Sequence, residues 1–480
     1  MGGRAAVISI TRMLNQGLLL ISPILLVRLL SVEAFGRYRE FLLYASVLIT
    51  FANFTLSKSL LHFAPHRPEH RQRFVDQTLL LTFASSAIAL GTVAVLNALF
   101  DGALVGEQML PIALYVGLFV NFDFWEHLWL SQRRIGAVFA YTTMRLVARL
   151  TVVVIAAALS GDPNVIIWSL VVLEGVRFTV AFAVWWRRRE PYRSELPGSW
   201  REQLRFCLPS GTASVLVTVN KSMGSLFITK LLGPVALAHY TIGTYVQPII
   251  TVLRDSLSDV LLPEMSAEQR AGTNDPLFLW RHMTVLAAIL LIGALVVLER
   301  FAEILIVTIF TAEYQAAVLI FQIYLLVLAR EVMDFAVPLR AINRTAPIMH
   351  SNTLSIVLNA ILLAVLLPTI GVAGAAIAFV VSRVVEGFYL SRQMARAYSL
   401  RVRDLARWGD LSKVVLAAAL ASVTLYGDYL TDALGLIGVL LHGGVFLIAY
   451  VALLVLFRVP EAAMLLSRLQ RLPRALHSRT

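Results

Sequence analysis

The chain has 480 residues, of which 58% are hydrophobic and only 15% charged, and its 41 Lys and Arg outnumber 29 Asp and Glu for a net charge of +12. Soluble globular proteins carry about 25% charged residues, so a soluble fold is excluded. The basic excess does not mark a nucleic-acid binder, because no nucleic-acid motif accompanies it and the Lys and Arg fall in short loops between apolar runs.

Hydropathy predicts about fourteen membrane spans, at about 6–30, 40–64, 76–100, 108–130, 135–159, 163–186, 206–231, 235–261, 282–309, 315–338, 345–369, 372–395, 411–427 and 434–457. The first carries Arg12 and lacks a small-residue cleavage site, so it reads as a span and not as a signal peptide. Basic loops follow spans two, four, six, ten and twelve. Arg67, Arg71 and Arg73 follow span two; Arg133 and Arg134 follow span four; Arg187, Arg188, Arg189, Arg193 and Arg201 follow span six. Arg340 and Arg344 follow span ten, Arg392, Arg396, Arg401, Arg403 and Arg407 follow span twelve, and the tail carries Arg468, Arg471, Arg474 and Arg479. The opposite loops hold Asp101, Glu107, Asp162, Glu299, Glu303, Asp428 and Asp432. The positive-inside rule then places both termini in the cytoplasm. The single cysteine, Cys207, excludes an intramolecular disulfide.

The chain also repeats itself. Leu29–Tyr38 (LLSVEAFGRY), the exit of span one, is echoed by Leu231–Tyr240 (LLGPVALAHY), the exit of span seven. The two lie roughly 200 residues apart, far beyond a solenoid period. Six spans precede the charged, proline-containing linker at about 187–205, so span seven crosses in the same direction as span one. The expected architecture is all-α and polytopic. An N-terminal lobe (1–200, spans one to six) and a C-terminal lobe (201–400, spans seven to twelve) form parallel repeats about a two-fold axis along the membrane normal. Residues 401–480 add spans thirteen and fourteen and a basic tail. No loop is long enough for a soluble domain, so the chemistry belongs inside the bilayer.

Charges at mid-membrane cost at least about 2.5 kcal/mol each and face a cavity or a partner. Here they fall on helical stripes. Span one carries Arg12, Asn15 and Gln16; span two Asn53, Ser57 and Lys58; span five Tyr141, Arg145 and Arg149. Span seven carries Ser214, Thr218, Lys221 and Ser225, and span eight Tyr240, Thr244, Gln247, Thr251, Arg254 and Ser258. These faces read as the lining of a wet cavity, with Arg12, Lys58, Arg145, Arg149, Lys221 and Arg254 as its cations. The bland alternative is structural pairing: Glu174 with Arg177 one turn on, Asp123 and Glu126 against Arg145 and Arg149, and Asp255 against Arg254 or Lys58. Asp123, Glu126, Glu174 and Asp255 are equally candidates for coupling to an ion gradient. Arg330, Glu331 and Asp334 read as mutually neutralising, and Asn359, Arg383 and Glu386 as packing or gating contacts. Span fourteen, with Gly435, Gly438, Gly443, Gly444 and His442, reads as a packing surface or a groove for a lipid tail. No metal-ligand spacing, nucleophile motif or phosphate-cradling loop is present, so neither a cofactor nor an enzyme is expected. A cationic ladder suits a multiply anionic head group, since Arg binds phosphate bidentately and Lys as a point charge.

LLSVEAFGRY, LLPEMS at Leu261–Ser266 and LLPTIGVAGAAIAFVVSR at Leu366–Arg383 resemble the polysaccharide exporters (Wzx-type O-antigen flippases) of the multidrug/oligosaccharidyl-lipid/polysaccharide exporter superfamily. Ala238 stands where that motif has glycine, as at Gly36. The resemblance implies flipping of undecaprenyl-diphosphate-linked oligosaccharides across a bacterial plasma membrane, by alternating access between two lobes around a cationic cavity. Arg12, Lys58, Lys221 and Arg254 match that cavity by position. A peptidoglycan-precursor flippase and a cation-coupled drug antiporter, driven by H+ or Na+, are the alternatives. A drug-cation exporter would favour a cavity of the opposite sign, and a polymerase would need an external catalytic loop longer than any here.

Overall fold

A computed structural model describes residues 21–101, 105–189, 199–271, 275–427 and 434–464. Arg12, Asn15 and Gln16, the linker at 190–198, Asp428, Asp432 and the tail arginines lie outside these residues, as do the side chains of Glu107 and Asp255. The described residues contain no β-strand. Eleven helices among them are long and apolar enough to cross a membrane, which makes the protein a multi-pass membrane protein. Three further expected spans are not counted among these eleven, each for its own reason. Span one lies mostly outside the described residues; span eight is interrupted by charges; span ten is broken into short helices.

Contacts divide the chain into two compact units, Met1–Ala238 and His239–Thr480. In the first, α1 (Val32–Asn53) and α2 (Leu56–His66) run on as one span, followed by α3 (Arg71–Leu99), α4 (Met109–Val120), α5 (Trp125–Ser131), α6 (Ile135–Ser160) and α7 (Pro163–Arg188). Local chemistry sets the ends. Ser31 caps α1 by accepting from Ala34 N at 3.2 Å. The α6–α7 hairpin closes in two residues. Gly161 takes the left-handed conformation (φ 65°), Asp162 accepts from Asn164 N at 2.8 Å, and Pro163 occupies the first turn of α7. Helix α1 packs on α3, α4 and α7, and α2 on α3 and α5. An aromatic core of Phe63, Phe74, Phe122, Phe124 and Trp125 fills the space beside α2.

The next helix, α8 (Ser199–Gly243), is two helical stretches joined at Gly233, whose φ of 84° and ψ of −175° interrupt the ladder just before Pro234. Up to Ala238 it belongs to the first unit. There the two echoed segments touch: a Cβ on Gly36 would overlap the carbonyl oxygen of Pro234, so only glycine permits this approach.

The second unit comprises α9 (Gln247–Ala271), α10 (Phe278–Arg300), α11 (Ala302–Phe310), α12 (Ala317–Leu325), α13 (Val327–Glu331), α14 (Ala336–Ala341), α15 (Ala346–Ile370), α16 (Val372–Ala397), α17 (Trp408–Ala421) and α18 (Leu436–Leu456). The α15–α16 hairpin turns at Gly371, and Gly374 lies against the carbonyl of Leu366. The expected choice for span fourteen between packing surface and lipid groove gets a local answer. Helix α18 buries Gly438, Val439, His442, Phe446, Tyr450 and Leu454, and the Tyr450 hydroxyl donates to Ile289 O of α10 at 3.1 Å. That face is covered by its own unit.

Candidate functional site

The expected cavity residues fall into three groups. The first surrounds a break in the span formed by α1 and α2. Phe54 (φ 42°) and Thr55 (φ 60°) both adopt the left-handed conformation, unusual for residues with side chains. Helix α8 supplies the compensation. The Thr55 hydroxyl meets Ser210 at 3.0 Å, the Cys207 thiol lies 3.9 Å from Thr55 O, and Gly211 leaves room for the Phe54 ring. Gln203 donates to Ser59 at 2.8 Å and to Thr78 at 2.7 Å, tying α8 to α2 and α3. Asn53 spans the break, donating to Ser57 at 3.2 Å. Lys58 follows one turn on. Its side chain is exposed, as is that of Lys221 on α8. Neither lysine has a carboxylate within ion-pair distance among the described residues.

The second group is a buried charge network within the first unit. Arg145 donates to Asp123 at 2.6 Å and lies 3.6 Å from Glu174. Arg177 pairs with Glu174 across one turn of α7 and reaches into the gap between α4 and α5, donating to Leu118 O at 2.6 Å and Phe119 O at 2.8 Å. Those carbonyls end α4, where the helix has no partner of its own for them. Arg177 is therefore the cap that lets the span be broken at Asn121–Phe124. Sequence reasoning paired Arg177 with Glu174 from their spacing but missed its capping role, because nothing in NFDF marks a helix end. Arg149, one turn beyond Arg145, has no carboxylate within ion-pair distance among the described residues. Glu126 on α5 likewise makes no ion pair among them.

The third group lies in the second unit. Arg383 donates to Glu331 at 2.6 Å and pairs with Glu386. Arg330 donates to Arg383 O and to Met333 O, both at 3.1 Å. Arg254, about a third exposed, lies 3.7 Å from Glu331. Asp334 does not join its neighbours on span ten; it accepts from Ser258 at 2.7 Å and from Ala336 N at 2.9 Å. Arg383 and Glu386, read from the sequence as isolated contacts, are the centre of this network. Their i, i+3 spacing was the available signal. Gln247 opens α9 and is half-buried, its carbonyl accepting from Thr251 at 2.9 Å.

The two networks share a plan. In each unit a broken span (α4–α5, and α12–α14) is braced by an Arg/Glu pair one turn apart on a long helix (α7 and α16). The charge balance differs. Asp123 and Glu174 serve two arginines with Arg149 beside them, whereas Glu331, Glu386 and Asp334 equal Arg254, Arg330 and Arg383 in number, Asp334 standing on Ser258 and Ala336 N. No group of three or more His, Cys, Asp or Glu among the described residues has metal-binding geometry.

The fold has known counterparts. A lipid II flippase MurJ in an inward closed conformation superposes with a TM-score of 0.69 at 16% identity, over 92% of this chain and 97% of that one. An inward-facing multidrug resistance MATE family transporter of the MOP superfamily superposes with a TM-score of 0.56 at 13% identity, over 82% of this chain and 99% of that one. No curated protein matches the sequence. The family described as polysaccharide biosynthesis protein matches residues 3–269, more than half of the chain. The chain therefore belongs to the polysaccharide biosynthesis protein family, built on the MOP-superfamily fold.

Proposed function

We propose that the protein is a flippase that carries a polyprenyl-diphosphate-linked oligosaccharide across the bacterial plasma membrane for surface polysaccharide assembly. Family membership supports the pathway, and the fold is one that lipid flippases and exporters use. The observation that carries the reading is the pair of exposed lysines within the spans, Lys58 and Lys221, which have no carboxylate partner among the described residues. An ammonium group held at membrane depth is stable only beside water or an anion, and a diphosphate supplies the anion. Arg254, 3.7 Å from Glu331, is the proposed cation of the second unit. Arg12, Asn15 and Gln16 complete the proposed lining. Both termini are cytoplasmic in this reading, the lobes 1–200 and 201–400 alternate access, and 401–480 flanks them.

If an ion gradient drives the cycle, Glu126 is the candidate acid within the first unit, because Asp123 and Glu174 are already committed to arginines. A peptidoglycan-precursor flippase shares the same head group and is the second reading. The test is head-group protection of a labelled lipid-linked oligosaccharide in liposomes, run beside lipid II and beside dye efflux. Lys221→Ala is expected to lower flipping at least tenfold with normal membrane levels. Normal flipping by both Lys58→Ala and Lys221→Ala would remove the mechanism.

A further inference from the structure

The first unit has a cleft away from Lys58 and Lys221. It lies between the end of span one and helices α1 and α6, lined by Ser22, Pro23, Tyr38, Arg39, Arg149 and Val153, with leucines and a phenylalanine completing its walls. Arg39 precedes Lys58 by 19 residues on the same span, which puts the cleft about 28 Å away at 1.5 Å per residue. It is therefore near the opposite face of the membrane from Lys58 and from the basic loop Arg67–Arg73.

Arg149 gives the cleft its chemistry. The groups facing it are Tyr115, Tyr38, Glu174 and Arg145. Glu174 is already engaged by Arg177 and approached by Arg145. Residues 1–20 contain no Asp or Glu, so the rest of span one brings no counter-charge. A guanidinium against apolar walls with no carboxylate is costly unless an anion joins it. Two guanidinium groups and a phenol in the lining of a mostly apolar cleft match a phosphorylated head with a hydrocarbon tail.

We infer that this cleft is a phosphate-binding site for the head group of a polyprenyl diphosphate, a second station on the side of the membrane opposite Lys58. The inference rests on the flippase reading and adds to it where the head group is received after crossing. Arg149 and Arg39 hold the phosphate oxygens, Tyr38 donates to one of them, and the leucines cover the first isoprene units.

The test is binding of radiolabelled farnesyl diphosphate to the purified full-length protein. The parent is the Lys58→Gln/Lys221→Gln variant, so that binding at the lysines does not mask the cleft. Arg149→Gln in this parent is expected to weaken binding at least tenfold, and Arg149→Lys to restore part of it. Val153→Phe, which fills the cleft and leaves every charge in place, is expected to do the same as Arg149→Gln and decides the matter if the latter does not elute as folded protein. Parent-like binding by Val153→Phe, or no binding by the parent, overturns the site. Unlabelled inorganic pyrophosphate is the second arm. Competition at least tenfold weaker than by farnesyl diphosphate supports a lipid head, while equal competition overturns the lipid assignment in favour of a free phosphate compound. Flipping is read separately. Binding by the parent with no flipping by the wild-type protein removes the proposed function and leaves the site, and wild-type flipping with no binding by the parent removes the site alone.

Discussion

Lys58 and Arg177 are both cations at membrane depth, and they differ in what neutralises them. Arg177 is held by Glu174 and by carbonyls left over at the end of α4. Removing it leaves the buried Glu174 only the more distant Arg145 and strands those carbonyls, a loss of about 3–5 kcal/mol for a broken buried pair. Arg177→Ala is therefore expected to lower the thermal midpoint of the detergent-purified protein and its level in the membrane, with export falling in proportion to protein. Lys58→Ala is expected to leave the midpoint unchanged and remove export alone, because the exposed ammonium stabilises no partner among the described residues. Comparing midpoint with activity for the two variants separates a scaffold cation from a substrate cation. The sequence carried part of this distinction. The spacing of Glu174 and Arg177 was legible, as were the stripes that hold Lys58 and Lys221. Whether Arg145 meets Asp123 or lines a cavity was not, since a one-dimensional pattern gives the face of a helix but not what stands opposite.

Long apolar helices were legible from hydropathy, and their breaks were not. A window average measures the transfer free energy of a segment and is blind to a local change of φ. Gly233–Pro234 announces its own break, because glycine takes positive φ freely and proline removes a donor. Phe54–Thr55 carries no such sign. It is imposed by tertiary contacts from Ser210 and Gly211, which compensate two left-handed residues costing of order 1–3 kcal/mol each. The same holds for Asn121–Phe124, where the compensation comes from Arg177. The tight glycine approaches make a graded prediction. Gly36→Ala and Gly374→Ala drive a methyl group into backbone carbonyls that cannot turn aside, at the upper end of the about 1–3 kcal/mol typical of overpacking. Gly211→Ala meets the ring of Phe54, which can rotate, and is expected to cost less. Midpoints of the three single variants should fall in that order, and a Gly36→Ala midpoint equal to wild type would show that the contact with Pro234 is dispensable.

At the scale of the whole molecule, the proposed orientation makes a prediction that needs no substrate. Cysteines placed at Arg71 and Arg340 are expected to react with an impermeant maleimide only in inverted membrane vesicles, and cysteines at Asp101 and Glu303 only in intact spheroplasts. Labelling of Arg71→Cys and Asp101→Cys from one side would undo the alternation on which the span assignment rests. The fold class and family were legible early because apolar content, loop charge and short motifs each scale with chain length, whereas the division at Ala238 depends on how α8 packs and not on where the linker lies.

The one thiol in the chain, Cys207, is buried at 1% exposure against the Phe54–Thr55 break. Nature has thus left a background that is silent to water-soluble reagents without any preparatory substitution. Each introduced thiol can report on its own, and should Cys207 itself begin to react during turnover, it would time the parting of α8 from that break within the native polypeptide.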